Sequence, residues 1–571
     1  MSLPSAIVGR LTAIPRAQTH DVVREPLRIA MDDGAVLLAD RWVARATRHE
    51  VQPTVLVRSP YGRHQVFGLI FGRLLAERGL QVVVQSVRGT FGSEGTFSPF
   101  DERADGLATL HWIRQQTWHA ERIAMVGPSY LGLVQWAAAP DAGDDLAALT
   151  IQVSASQFHG QTYAGGSLSL ETAASWLVLI AAQERRLAPL AIARAIRGLP
   201  RLCSELPLGE LDALATGAEV AWFREAMASP LRDDAYWVAR DYAAGVDTIT
   251  APVQLVGGWY DIFLPWMLDD FVALQAAGRT PQLIVGPWSH TSPSLVAAGT
   301  REALGWLRAH LLDDDRLVRD AAVRLFVTGE PQGGGWRDLP SWPPPGSGER
   351  RLWLAGDGRL LEQTDPAPAE PGQTGARDGT GASEAADAGA GDRFRYDPAH
   401  PTPSLGGPVL LTRRPVCDNR RHEARADVLT YTTAPLPATI EAIGPVRVAL
   451  RVRSSSPHFD LFARVCDVDR DGASWNVCDA LARVAPERFE CDGGGVWHVG
   501  FDLWPIGHRF AAGHRVRLQV SAGAHPRYAR NPGTGDDPTT ATELRAVEIE
   551  VLHGAEHRSV LVLPRGDGPA P

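Results

Sequence analysis

The sequence predicts a mostly parallel α/β domain with a helical insertion, followed by an all-β domain. Three observations predict it. Short apolar runs alternate with amphipathic stretches over residues 25–150, and the alternation resumes from residue 251. Between these, over 155–245, strand signals fade and helix-forming residues dominate. After residue 318, short β-rich runs are separated by turns rich in Gly, Pro and Asp. Strands that alternate with helices imply a parallel sheet covered on both faces, and serial short strands imply a sandwich or jelly roll.

PTVLVRS (53–59) is a short, β-branched apolar run and predicts a buried strand. FGLIFGRLLAERG (67–79) has helical apolar spacing and ends on a glycine suited to the position after a helix. QVVVQS (81–86) is the next strand, DERADGLATLHWIRQQ (101–116) an amphipathic helix, and IAMVG (123–127) and LAALTIQVS (146–154) two further strands. After the helical segment come the strand APVQLVGGW (251–259), the helix PWMLDDFVALQAAG (265–278) and the strand PQLIVGPW (281–288). The domains predicted are therefore 1–154 with 246–317, the inserted helical cap 155–245, and the all-β domain 318–571. AVRLFVTGE, RRLWLAG, VRVALRVRS, FDLFARVCDVD, WHVGFDLW, HRVRLQVSAG and RAVEIEVLHG supply the strands of the last. Residues 364–392 are Ala/Gly/Pro/acid-rich, cannot bury a core, and predict a mobile loop.

Of 571 residues, 44% are hydrophobic and 21% charged, as in globular proteins, and the net charge of −10 opposes nucleic-acid binding. No secretory or membrane-spanning stretch is found at the N-terminus, so no membrane partner is expected. Five cysteines without a C-x-x-C pair argue against structural zinc and fit a reducing, cytoplasmic setting. DVDRDGASWNV (467–477) has the acids of a calcium loop but not its closing glutamate, so it is assigned to a hairpin turn and no metal is expected. SVRGTFGSEGTF (86–97) lacks the Gly-Lys-Ser/Thr of a phosphate loop, and Arg88 within it is assigned to a structural ion pair.

MVGPSYLGLVQW (125–136) runs from strand through a turn to a helix with one serine between. Ser129 is either a nucleophile raised on a sharp turn or a helix N-cap. The spacing Gly127-Pro128-Ser129-Tyr130-Leu131-Gly132 departs from G-x-S-x-G by one place. A serine nucleophile needs a base, and the base a carboxylate, in the chain order Ser, Asp/Glu, His for α/β-hydrolases. Asp261 follows the strand of VQLVGGWYDIF, and His290 follows the strand of LIVGPWSHTSP. Asp261 has a second reading as a helix cap, and His290, one of 17 histidines, as a loop residue. Three coordinated placements at strand ends favour the catalytic readings.

RSPYG (58–62), SVRGTFGSEGTF, GPSYLG, GGWYDIF, GPWSH, DVDRDGASWNV and GHRVRLQVSAGAHPRYARNPGTG, in this order, resemble the cocaine esterase / X-prolyl dipeptidyl peptidase family of serine hydrolases. The resemblance spans nearly the whole chain, and G-x-S-Y-x-G is that family's elbow. It implies an α/β-hydrolase domain with an inserted helical cap and a C-terminal jelly roll. It implies Ser129 as nucleophile, His290 as base and Asp261 as its orienter. It also implies an oxyanion hole from the Tyr61 hydroxyl and the Tyr130 backbone N–H; the residues alone leave Tyr61 a structural role. Trp176 and Phe263 fall at the family's substrate-binding positions, and each also reads as a core aromatic. FHGQTYAGG carries Gln161 and Thr162 where the cocaine-cleaving members have aromatic residues, so benzoyl specificity is not implied.

The expected activity is hydrolysis of a small-molecule carboxylic ester, or a related amide, through an acyl-enzyme and without a cofactor. Three alternatives stand beside it. An X-prolyl dipeptidyl peptidase would hold a peptide amino group with cap acids such as Glu171 or Glu184. An acyltransferase would use the same triad in a biosynthetic pathway, and a non-catalytic binding protein would use the jelly roll alone. The oligomeric state is open, a homodimer being the commonest closed assembly.

Overall fold

A hairpin opens the fold: β1 (Val22–Ala30) and β2 (Val36–Ala44) pair antiparallel from Val22↔Ala44 to Ala30↔Val36. The computed structural model describes Gly9 and residues 14–329, 334–346, 348–362, 391–411, 414–554 and 556–565. β2 continues antiparallel onto β4 (Gln81–Ser86), and there the sheet turns parallel. In space it runs β4, β3 (Gln52–Ser59), β5 (His119–Pro128), β6 (Leu146–Gln152), β7 (Val253–Tyr260) and β8 (Gln282–Ser289). Every residue of β4 and β7 is buried, which explains why neither alternates apolar with charged residues.

The covering helices are α1 (Arg103–Arg114), α2 (Tyr130–Ala142), α5 (Leu264–Ala276) and α6 (Pro293–Leu312). The cap between β6 and β7 carries α3 (Leu170–Ala182), α4 (Ala188–Leu202) and shorter helices. The helix expected over 67–79 is wound as a π-helix at Gly68–Arg73 before an α turn at Leu74–Ala76. There a Cβ on Gly72 would stand 2.8 Å from the Trp42 ring, so the glycine lets the indole lie against the backbone. Helix α6, not singled out from the sequence, is the longest of the covering helices. It starts at Ser292, whose hydroxyl accepts from the Leu295 N–H at 3.4 Å.

The C-terminal domain is antiparallel. Its long pair is β10 (Ile440–Ser454) with β13 (Trp497–Phe510), interrupted by a bulge between Gly444 and Val446. β11 (Phe459–Val468) pairs with β12 (Ser474–Val484) and with β14 (Arg515–Ser521). The acids of DVDRDG are spent internally. Asp469 accepts the N–H groups of Asp471 and Ala473, and Asp467 bonds His508 and His514 at 3.2 and 2.9 Å.

Two expectations change. AVRLFVTGE was assigned to the all-β domain, but its strand β9 (Val323–Gly329) pairs parallel with β8 in the first sheet and touches β13 through His508↔Thr328. Without it β8 would present an open edge. Residues 364–390 of the expected loop lie outside the described residues, and 391–392 instead begin a strand (Gly391–Tyr396) paired to Val547–Leu552. The cap is tied to the jelly roll by backbone. Ala529 N–H donates to Leu168 C=O at 2.9 Å, and Glu171 N–H donates to Pro526 C=O at 3.0 Å.

Among the described residues no helix is long and apolar enough to cross a membrane. The exit of β6 is fastened to α5 by Ser156, whose N–H and hydroxyl donate to the two Asp270 oxygens at 2.8 and 2.6 Å. Burial pushes the Asp270 carboxyl up to about 8. Between roughly pH 4 and this value the folded chain therefore holds a proton that the unfolded chain has released, so this contribution to stability is lost as pH rises. Asp270→Asn should flatten the fall in Tm between pH 5 and 8, read by thermal denaturation of both proteins across that range.

Candidate active site

Ser129 joins β5 to α2 with φ 57° and ψ −124°, a backbone conformation that costs a non-glycine residue about 1–3 kcal/mol. Its N–H donates to Gln152 C=O on β6 at 2.8 Å, and its C=O accepts from Gly132 and Leu133 at 2.8 and 3.1 Å. Both glycines around it are steric requirements. A Cβ on Gly127 would stand 2.3 Å from Leu131 Cβ, and one on Gly132 would stand 2.5 Å from Ser154 Cβ. The displaced glycine of the motif thus answers to Ser154, across the turn. The Ser129 side chain caps nothing.

Tyr61 follows β3, with its N–H held by the Ser59 hydroxyl at 3.0 Å. From the cap, Trp176 Nε1–H donates to the Tyr61 hydroxyl at 3.1 Å. The Ser129 side chain is the phenol's other polar neighbour. A phenol has one proton, so with Trp176 donating inward that proton is directed away from the indole, into the site. Burial pushes the phenol up to about 12, so it stays a neutral donor.

Asp261 and His290 follow β7 and β8. His290 Nδ1 and Asp261 Oδ2 are 2.6 Å apart, and Asp261 Oδ1 accepts the Phe263 N–H at 2.8 Å. Both carboxylate oxygens are engaged and the side chain is almost fully buried, which leaves the imidazole Nε2 to face the chemistry. Among the described residues no hydrogen bond joins Ser129 to His290 in this resting arrangement, as is common before substrate binds.

Tyr130 opens α2, so its backbone N–H is one of the unsatisfied donors of the first turn. Its ring is buried. The hydroxyl donates to Glu102 Oε1 at 2.6 Å and accepts the Phe100 N–H at 3.0 Å. Glu102 in turn pairs with Arg58 at 2.9 Å, both almost wholly buried. Phe263 packs, tilted, between Phe158 (centroids 4.3 Å) and the His290 ring (5.7 Å).

Ser129, Tyr61, Tyr130, Trp176, Phe158 and Phe263 border one cavity of about 70 Å³ beneath the cap, while Asp261 and His290 stand behind its wall rather than in it. Its walls are mainly aromatic, with Phe100, Phe158, Trp176, Trp222, Trp237 and Phe263 prominent, and Ser129, Tyr61 and Tyr130 at one side.

Residues 33–292 match the family model described as X-Pro dipeptidyl-peptidase (S15 family), and residues 318–562 match the X-Pro dipeptidyl-peptidase C-terminal non-catalytic domain. Cocaine esterase from Rhodococcus sp. (strain MB1 Bresler) is 30% identical over 95% of this chain and 98% of its own. The chain belongs to the cocaine esterase / X-prolyl dipeptidyl peptidase family. It is a serine hydrolase. Two solved structures share the fold at 20% identity and a TM-score of 0.77. They are an aminopeptidase from a marine sediment archaeon, Thaumarchaeota archaeon (96% of this chain, 97% of that one), and an alpha-amino acid ester hydrolase (97% and 98%).

Not every expected residue of the family reaches the site. Among the described residues, no Asp, Glu, Lys or Arg lines the cavity. Glu184 is drawn to the Phe91 N–H at 3.0 Å, and Glu171 packs towards Arg527 in the jelly roll. Trp176 borders the cavity as expected, and it also fixes Tyr61, which sequence spacing does not reveal. Arg58, Glu102, Trp222 and Trp237 were missed. Arg58 and Glu102 look like ordinary charged residues of a strand end and a helix start, and only a contact 44 residues long joins them.

Tyr130→Phe keeps the backbone donor but strands the Glu102 carboxylate and the Phe100 N–H in the core. A loss of about 2–3 kcal/mol in unfolding free energy is expected, measurable by urea denaturation.

Proposed function

We propose that this protein hydrolyses carboxylic esters of small molecules, or closely related amides, by acyl transfer through Ser129. The observation that carries the reading is the Tyr61 hydroxyl, held by the Trp176 N–H beside a strained Ser129, with the Asp261–His290 pair at neighbouring strand ends. Ser129 Oγ attacks the carbonyl carbon while His290 Nε2 takes its proton, and Asp261 holds the imidazole Nδ1–H and stabilises the imidazolium. The tetrahedral oxyanion accepts hydrogen bonds from the Tyr61 hydroxyl and the Tyr130 N–H. Both donors are preset, so stabilisation needs no reorganisation as charge develops. His290 returns the proton to the departing alkoxide, and water repeats the sequence on the acyl-enzyme. No step requires a cofactor.

The cavity chemistry disfavours the peptidase reading. An X-prolyl dipeptidyl peptidase must bind an α-ammonium, and a cavity wall without carboxylates gives that cation no partner. The alpha-amino acid esters named for one structural relative carry the same cation and meet the same objection. The five cysteines are free, and we assign the protein to the reducing cytoplasm on that ground.

A fluorophosphonate probe should label the protein, and Ser129→Ala should abolish the label. p-Nitrophenyl esters should be turned over well, and Gly-Pro-p-nitroanilide feebly. Tyr61→Phe should lower kcat by about 10²–10³, the cost of one oxyanion donor. Strong turnover of the anilide would overturn the ester reading. Turnover that appears only with an added acceptor alcohol or amine would make the protein a transferase, and full activity in Tyr61→Phe would remove the phenol from the oxyanion hole.

A further inference from the structure

A second, much smaller chamber lies against the catalytic cavity. It measures about 10 Å³, room for one water-sized group, and shares Gln161, Ser169, Thr172 and Ile262 with the larger cavity as a common wall. Its far side is formed by the jelly roll through Arg527 and Trp504. The two chambers differ in character, because the larger is aromatic and the smaller ends on a guanidinium.

Arg527 is 3% exposed. Its Nη1 donates to Asp479 Oδ1 at 2.5 Å, while its buried Nη2 has no hydrogen-bond partner. Asp479 is shared: its Oδ2 accepts from Nε and Nη2 of Arg464 at 3.0 and 2.8 Å. The remaining Arg464 Nη1 donates to the neutral Asn419 Oδ1 at 2.8 Å. Two buried guanidiniums therefore share one carboxylate, and a positive charge is left over. The Tyr528 hydroxyl is a hydrogen-bonding neighbour of Arg527, whose guanidinium also lies over the Tyr528 and Trp504 rings at 4.8 and 5.7 Å, and Glu171 faces it; none of these supplies a second paired carboxylate. Glu171 forms no ion pair with it within 4.0 Å, and burial raises that carboxyl while Arg527 lowers it. Among the described residues, the Gln161 carboxamide and the Thr172 hydroxyl in the common wall also make no side-chain hydrogen bonds. Buried polar groups are normally satisfied, and an uncompensated buried charge is among the costliest exceptions. One orphaned guanidinium nitrogen, with two polar side chains beside it that make no side-chain hydrogen bond, marks a place for an anionic oxygen.

We propose that this chamber is the distal acyl subsite, and that the preferred acyl group ends in a carboxylate received by Arg527, Gln161 and Thr172. The proposal rests on the Ser129-centred ester reading and names its substrate class: hemiesters of dicarboxylic acids. The apolar walls hold the methylene chain, and one carboxylate oxygen replaces the single water that the chamber admits. The jelly roll, whose matching family model is described as non-catalytic, thereby contributes to substrate choice.

The test compares p-nitrophenyl hemiesters of glutaric and adipic acids with p-nitrophenyl valerate and hexanoate. The hemiesters should show kcat/KM at least about tenfold higher, the return expected for a charged hydrogen bond. Gln161→Leu and Thr172→Val, which leave the Arg464–Asp479–Arg527 cluster intact, should each collapse that ratio toward one. Arg527→Met should abolish it, but this variant also disturbs the cluster, so the two wall variants decide. Binding is read separately from chemistry in Ser129→Ala, whose Tm should rise with free glutarate and adipate and not with valerate. Hydrolysis of the neutral esters without hemiester preference overturns the subsite and leaves the esterase reading standing. Failure of the fluorophosphonate to label Ser129 overturns the esterase reading, and the dicarboxylate Tm shift then decides the anion site: its absence overturns it.

Discussion

The backbone at Ser129 is the constraint from which the site follows. A non-glycine residue at positive φ is unfavourable by itself and persists only because its neighbours over-determine it. The Ser129 N–H is tied to β6, its C=O starts the hydrogen bonding of α2, and Gly127 and Gly132 remove the side chains that would collide. The reward is positional. The hydroxyl stands above the sheet where the carboxyl ends of β5, β7 and β8 open, and the first N–H of α2 points the same way. A relaxed conformation at that one residue would separate the hydroxyl from the first N–H of α2.

Around this fixed point the three parts of the chain contribute unlike chemistry. The sheet domain supplies the hydrogen-bonded Asp261–His290 pair and the Ser129 turn. The cap supplies aromatic walls, and through Trp176 it orients the Tyr61 hydroxyl that it also covers. The jelly roll closes the remaining side and brings two buried guanidiniums, with the one carboxylate they share, beside a cavity that no Asp, Glu, Lys or Arg lines among the described residues. The Arg58–Glu102–Tyr130 chain plays a quieter part. It ties the strand leading to Tyr61 to Tyr130, so the Tyr61 hydroxyl and the Tyr130 N–H share one rigid support.

Much of the fold was legible because the parallel strands are buried on both faces and so are written as unbroken apolar runs. QVVVQS marks β4 to the residue. The hairpin β1–β2 was not legible in that way, because one face is partly exposed and charged residues interrupt it. β9 was read as a strand and given to the wrong sheet, since a strand's text does not name its neighbour. The polar site residues follow the ends of strands that could be read, which is why Ser129, Asp261 and His290 were placed together from sequence. The cavity was less legible. Trp222 and Trp237 resemble core residues of the cap, and Arg527 and Gln161 gain meaning only through contacts between segments far apart in the chain.

β9 has one more implication. It is hydrogen-bonded to the sheet domain along one side and, through Thr328 and Gly329, to the jelly roll along the other. The Trp259 indole also donates to Phe326 C=O in the same strand at 2.6 Å. A shared strand cannot serve as a hinge without breaking ladder bonds on one flank. These two bodies are thus welded rather than jointed, and any rotation of one against the other would have to break the pairing of this strand.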